Sequence, residues 1–214
     1  MPELDFTVES ADVLPYAAVP TILFRLGIHN AVDGEEVNSI SLRTQIRIAA
    51  TQRRYAPEEQ GKLRELFGEP YQWKDTLRSI LWTNTNTIVP RFSSGAVFEI
   101  PVACTYDFDV VGTKYFAALE DGEVPLEFLF SGTVFYRGKS GALQVVQIPW
   151  EKEAKFRLPI GIWRDMMEHY FPNSAWLRVR KDIFDRLYDY RSRNALLTWE
   201  KTLESLLSEK EVER

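Results

Sequence analysis

Asp107 and Asp109 are the residues of this chain whose type and spacing come nearest to chemistry. Two carboxylates can hold Mg²⁺ or Ca²⁺, or divide the work of acid and base. Tyr106 and Lys114 lie close enough in sequence to join them in a polar site. The same two aspartates would leave one face of a strand, where a solvated edge also explains them. A calcium loop needs more ligands at fixed spacing, and the later Glu120, Asp121 and Glu123 do not supply it. The other reactive side chains are few. The 214 residues hold one cysteine, Cys104, and two histidines, His29 and His169. A zinc site takes a close cluster of ligands, and a Ser–His or Cys–His nucleophile needs a histidine within reach. Neither pattern is present, so no metal, no cofactor and no catalytic residue is expected. Cys104 reads as a small hydrophobe at the end of an apolar strand. His29 closes a strand, and His169 sits near a helix C-terminus, where a cation is favourable. Gly132 and Gly138-Lys139-Ser140 miss the phosphate-loop pattern. Five residues separate the two glycines where four are needed, and they read as a strand. Gly138 to Gly141 then reads as a hairpin turn.

A second group of residues suits recognition. Between Trp176 and Arg193 stand Arg178, Arg180, Lys181, Arg186, Arg191 and Arg193 against Asp182, Asp185 and Asp189, six bases to three acids. Interleaved with Trp176, Phe184, Tyr188 and Tyr190, they could serve a nucleic-acid surface. The acids, however, are spaced to pair with bases along a helix. Asp182→Arg186 and Asp189→Arg193 are i,i+4 pairs, each worth about 0.2–0.5 kcal/mol. A salt-bridged solvated face or a protein-docking face fits this spacing better. Trp, Tyr and Arg are the usual anchors of protein interfaces. Trp176, Tyr188, Tyr190 and Arg191 are therefore the candidate contact residues.

Whole-chain composition narrows the partners. The net charge is −5, which argues against nucleic acid and anionic membrane. No stretch approaches the roughly 20 apolar residues of a membrane span. The opening Met1-Pro2-Glu3-Leu4-Asp5 is acidic where a secretory signal is basic. With a single cysteine, a cytoplasmic protein is expected.

The elements that must position these residues follow from two periods. Over residues 4–158 the period is two. Ile22, Phe24, Leu26 and Ile28 share one face, and Ile40, Leu42, Thr44, Ile46 and Ile48 repeat the pattern against Ser41, Arg43, Gln45 and Arg47. Asp33-Gly34 between them is a tight-turn pair. Further strands are expected at Ile80–Val89, Ala96–Cys104, Leu126–Tyr136, Leu143–Ile148 and Ala154–Leu158. One helix is inserted at residues 57–67, with Pro57 opening it and Gly68 closing it. A shorter helix is expected over Gly112–Leu119. Past Pro159 the period becomes 3.6, in stripes led by Trp163, Leu187 and Trp199, with Thr198 as an N-cap. The reading is α+β: an antiparallel immunoglobulin-like β-sandwich over 4–158, a helical extension over 159–207 and a charged tail over 208–214. The expected core is Phe24, Leu26, Ile28, Ile40, Leu42, Ile46, Ile100, Val102, Leu129, Val134 and Val145.

Several phrases carry a resemblance. Pro2-Glu3-Leu4-Asp5-Phe6, Leu66-Phe67-Gly68-Glu69-Pro70, Cys104-Thr105-Tyr106-Asp107-Phe108, Phe130-Ser131-Gly132-Thr133-Val134-Phe135, Ile148-Pro149-Trp150 and Tyr170-Phe171-Pro172-Asn173 are similar to a bacterial, mainly actinobacterial, domain family of unknown function. Its genes occur among those of a high-affinity, oxygen-tolerant nickel–iron hydrogenase and its maturation factors. The resemblance implies a cytoplasmic accessory protein that binds a hydrogenase subunit or maturation factor, and it brings no catalytic residues with it. The cadence of Leu23–Asn30, Val37–Ile48, Ile100-Pro101-Val102 and Phe130–Val134 also resembles the type-2 late-embryogenesis-abundant domain, an immunoglobulin-like sandwich. A non-enzymatic interaction protein is the expected function, with a carboxylate-based enzyme or small-ligand-binding domain as the alternative.

Overall fold

Alternating side chains become strands in the computed structural model, which describes every residue except 33, 34, 109, 139, 140, 213 and 214, and only the backbone of 209–212. The described residues form β1 (Leu4–Val13), β2 (Thr21–Asn30), β3 (Glu36–Ile48), β4 (Ile80–Val89), β5 (Gly95–Ala103), β6 (Glu123–Arg137), β7 (Leu143–Gln147) and β8 (Glu153–Pro159). The helices are α1 (Pro57–Phe67), α2 (Trp73–Thr76), α3 (Val111–Ala118), α4 (Ile160–Tyr170), α5 (Lys181–Arg193) and α6 (Trp199–Val212). Two compact units divide the chain, Met1–Trp176 and Leu177–Arg214.

The first unit holds two antiparallel sheets. One has the order β1-β2-β5 and the other β4-β3-β6, with the far edge of β6 shared between β7 and β8. Their apolar faces meet. Phe6 of β1 stacks on Phe130 of β6 at 4.4 Å, and Phe24 of β2 meets Phe128 edge-on at 5.1 Å. Lys152 reaches Asp5 at 3.0 Å beside the first of these contacts. Each fully buried side chain of this kind contributes about 1.5–3 kcal/mol.

Parity decides which side chains go inside. In β6 the even residues Val124, Leu126, Phe128, Phe130 and Val134 are buried. Leu129 is odd, so it is only half-buried on the outer face, and Val145 pairs with outward Phe135 and is exposed. Both leave the expected core. The other nine expected core residues are buried. β1 is a strand beyond those expected, and its alternation buries Leu4, Phe6 and Val8. The expected Asp33-Gly34 turn lies outside the described residues, as do Lys139 and Ser140 of the second turn. Buried Asn30 binds the flank of the first turn, accepting from the N–H groups of Glu3 and Val32 and donating to Glu35 O.

Strand β6 changes partner midway. β8 pairs with Glu123–Leu129 and β7 with Thr133–Arg137. Residues 148–152 loop out between them, fixed by Phe130 N–H donating to Lys152 O and Ile148 N–H donating to Gly132 O. Trp150 rides on this loop, 91% exposed. Gly132 sits at the changeover with φ +140°, and an added Cβ would lie 2.0 Å from Ser41 O on β3.

A polar pin locks the inserted helix. Glu58 and Glu59 follow Pro57 in the first turn of α1, and Gly68 (φ 75°) terminates it. The Glu59 carboxylate accepts from Ala56 N–H, Glu120 N–H and Arg53. Arg53 also donates to Asp121 O and Glu123 O, so one buried ion pair joins α1 to the segment leading into β6. Beside it, the Tyr55 hydroxyl meets the Tyr115 hydroxyl at 2.8 Å, and burial pushes Tyr55 up to about 12.

Helix α4 belongs to the sheet unit, because Trp163, Met166 and Met167 are buried and the Tyr170 hydroxyl donates to Ala17 O. The unit boundary therefore falls after Trp176 and not at Pro159. At the other end, α6 continues to Val212, so the expected charged tail is helical through most of its length.

Three stability outcomes follow. Gly132→Ala is expected to cost on the order of 3 kcal/mol in equilibrium urea unfolding, from backbone strain plus overlap with β3. Gly61→Ala, on the exposed face of α1 with nothing within 4 Å of the new methyl, is expected to stabilise by about 0.5–1 kcal/mol. Glu59→Gln is expected to cost about 3 kcal/mol at neutral pH by leaving Arg53 buried without its counter-charge. Burial alone would raise the Glu59 carboxyl, but the N–H groups of Glu120 and Ala56 and the Arg53 guanidinium outweigh it and hold the group below 4.5. A folded value below the unfolded one stabilises fully above about 4.5 and is lost as pH falls through the folded value. The difference between wild type and Glu59→Gln is thus expected to shrink on acidification below that range.

Candidate protein-interaction surface

The second unit is a helical hairpin with an unburied apolar stripe. Helix α5 repeats Ile183, Leu187 and Tyr190, and none of its 13 residues is buried. In α6, Leu203 and Leu207 are exposed, as are Leu177 and Leu197 outside the helices. Among the described residues of this unit Thr202 alone is buried, its hydroxyl donating to Thr198 O. Thr198 caps α6 by accepting from Lys201 N–H at 3.2 Å. Ile183, Arg186, Leu187, Tyr190 and Leu206 line a shallow groove of about 350 Å³ along the hairpin.

Trp199 is the hub that closes the turn. Phe184 and Tyr188 reach its ring at 5.3 and 6.4 Å, and the Arg191 guanidinium lies 4.8 Å above it. Arg191 also donates to Leu196 O and Leu197 O, satisfying carbonyls between the helices. Tyr190 and Ser205 share a hydroxyl bond at 2.9 Å. Of the four candidate contact residues, Tyr188, Tyr190 and Arg191 therefore stand in the hairpin, with Arg191 bound into its turn. Tyr188 is half exposed at 53%. Trp176 stands in the first unit, where its ring meets Phe171 at 5.8 Å and remains largely exposed. The charge pattern is mixed. Asp189 pairs with Arg193 at 3.9 Å, while Asp182 pairs with Arg180 and Asp185 with Lys181. The centre of this cluster, Trp199, leads the α6 stripe and is not one of the four candidate contact residues. Its signal in the sequence is an arginine one turn before the α5 stop and an aromatic at the α6 start.

The described residues of the carboxylate alternative lie between β5 and α3 or on α3. Asp107 is half-buried, its backbone bridged to Trp176, and Asp109 lies outside the described residues. The Tyr106 ring stacks on Phe171 at 5.4 Å, and the Lys114 ammonium is paired with Glu65 on α1. Two surface hollows of the first unit lie elsewhere. One, of about 260 Å³, runs between the β1 start and the β7–β8 loop, over Leu4, Val134, Val146 and Ile148. The other lies over Gly27 and Gly95 on the outer face of the three-stranded sheet, rimmed by Asp5, Glu9 and His29. Among the described residues no three His, Cys, Asp or Glu side chains are placed to hold a metal ion, and no helix is long and apolar enough to cross a membrane.

The chain belongs to the family of unknown function DUF6084, which it matches over residues 1–214. No curated protein matches it. Among solved structures it is similar to the CARDB domain of the PF1109 protein from Pyrococcus furiosus, crystallised in complex with di-metal ions. That likeness has 12% identity and a TM-score of 0.29 over 74% of this chain and 87% of that one. A putative late embryogenesis abundant protein gives 11% identity and a TM-score of 0.34 over 74% of this chain and 73% of that one. The putative ApaA protein from Bordetella pertussis gives 13% identity and a TM-score of 0.28 over 73% and 93%.

Cys104 is half-buried at the end of β5, and burial pushes its thiol up to about 12, against a weaker pull from the Ile22 backbone. A thiolate is the reactive form. Modification by iodoacetamide at pH 8 is expected to be at least tenfold slower in the folded protein than in urea, read by intact mass. Equal rates would show a thiol open to reaction.

Proposed function

We propose that this protein is a non-enzymatic accessory protein that docks on another protein through its α5–α6 hairpin. The observation that supports this reading is the exposure of Leu197, Leu203, Leu207 and Tyr188 on a hairpin with almost no interior of its own. Helices of 13 and 14 residues are marginal in water without an apolar face to pack against. Amphipathic helices that meet a partner use such side chains as anchors, and the Trp199–Arg191–Phe184 cluster holds this hairpin rigid. The paired charges flanking it keep the surface soluble while unbound.

The partner we propose is a nickel–iron hydrogenase subunit or maturation factor, on the strength of the family resemblance in the six sequence phrases. We read the two sheets as an immunoglobulin-like sandwich serving as the scaffold, and the site of action as the cytoplasm.

Affinity purification of the tagged full chain from its host tests this. A hydrogenase component is expected to co-purify with wild type, and to fall at least tenfold with Leu197→Asp combined with Leu207→Asp. Both side chains are exposed, so the variant is expected to fold with wild-type stability within about 0.5 kcal/mol. Repeated recovery without any hydrogenase component removes the partner. Undiminished recovery with the double variant removes the hairpin as the docking element.

A further inference from the structure

Strand β4 is an open edge without the usual protection. It ends the larger sheet and, among the described residues, pairs only with β3. Edge strands are normally guarded by charge, proline or shortness. The other edges here follow that rule. β1 carries Asp5, Glu9 and Asp12, β5 carries Glu99 and Pro101, β8 carries Glu153, Lys155 and Arg157, and β7 has only 5 residues. β4 has 10 residues and contains no charge, no proline and no glycine. Leu81 and Ile88 are exposed on its outer face.

Its sequence is also nearly its own reverse. Thr83-Asn84-Thr85-Asn86-Thr87 reads identically in both directions, and Trp82 and Ile88 flank it. An antiparallel pair of identical strands about a two-fold axis must place each residue opposite its mirror position. Centred on Thr85, such a pair sets Asn84 against Asn86 of the second copy and Thr83 against Thr87. The two Thr85 side chains then face each other on the inner side. Thr85 Oγ1 is buried with no hydrogen-bond partner among the described residues. Directly opposed threonines form a favourable cross-strand pair. Helix α3 touches β4 at Trp82, through Phe116 and Gly112, and marks where the pairing stops.

We propose that two copies of this chain associate through antiparallel β4–β4 pairing centred on Thr85, joining their larger sheets into one. This inference is independent of the hairpin and of its partner.

Sedimentation velocity of the full chain at high micromolar concentration is expected to give twice the 24.8 kDa chain mass. Asn84 and Asn86 point outward, so Asn84→Lys with Asn86→Lys sets like charges face to face across the axis. That variant is expected to weaken the dimer at least about tenfold. Asn84→Glu with Asn86→Glu is expected to do the same, and an equal mixture of the two variants to form the heterodimer. A monomeric wild type, a lysine variant as dimeric as wild type, or a mixture that stays monomeric would each overturn the proposal. Should a variant fold poorly by circular dichroism, hydrogen exchange of wild type decides. Protection of β4 amides that rises with protein concentration supports the pairing, and protection independent of concentration overturns it.

Discussion

The larger sheet depends on one position without a side chain. Strand β6 is bonded along one flank to β3 and along the other to two different strands in turn. At Gly132 its backbone takes a φ of +140° and comes so close to Ser41 O that no Cβ fits. This approach lets the chain between β7 and β8 leave the sheet and return without breaking the β3–β6 ladder. Phe128 and Phe130 just before the glycine, and Val134 just after it, keep the same inward parity. Ring contacts to Phe24 and Phe6 are possible because that parity survives the changeover.

Around this frame, polar groups are buried only where they fasten one segment to another. Arg53 and Glu59 gather four backbone partners between them and tie the inserted helix to the entry of β6. A buried ion pair of this kind adds less net stability than a well-packed apolar pair, but its loss on one side is severe. Its benefit is position. It fixes where α1 and α3 stand, and with them the Tyr55–Tyr115 pair and the rings of Trp73 and Phe67.

Strands with clean alternation were legible in the sequence. β2, β3 and β4 alternate without ambiguity, and Pro57 and Gly68 delimit α1 at both ends. The failures have physical causes. In Val124-Pro125-Leu126-Glu127-Phe128-Leu129-Phe130 apolar residues occupy both faces, so alternation does not say which are inside, and Leu129 was placed wrongly. Val145 inherits its outward direction from Phe135, a register fact no local pattern contains. The boundary after Trp176 depends on the burial of Trp163 and Met167, whereas the change of period at Pro159 marks only a change of element. Among the candidate contact residues, composition pointed to the hairpin region but could not tell that Arg191 is consumed in closing its turn. The openness of β4 was visible as missing charge, yet it becomes meaningful only once β4 is known to stand at an edge.

The contact of β1 with the β8 end of the chain has a kinetic consequence. Asp5 and Lys152 are 147 residues apart in sequence, and Phe6 must wait for Phe130. Non-local closure of this kind slows folding, because the entropy of the intervening loop is lost before the contact is gained. A chain growing from its N-terminus carries β1, β2 and β3 with their apolar faces uncovered until β6 has emerged. Phe24, Leu26 and Ile40 are then open to the wrong neighbours until that strand arrives.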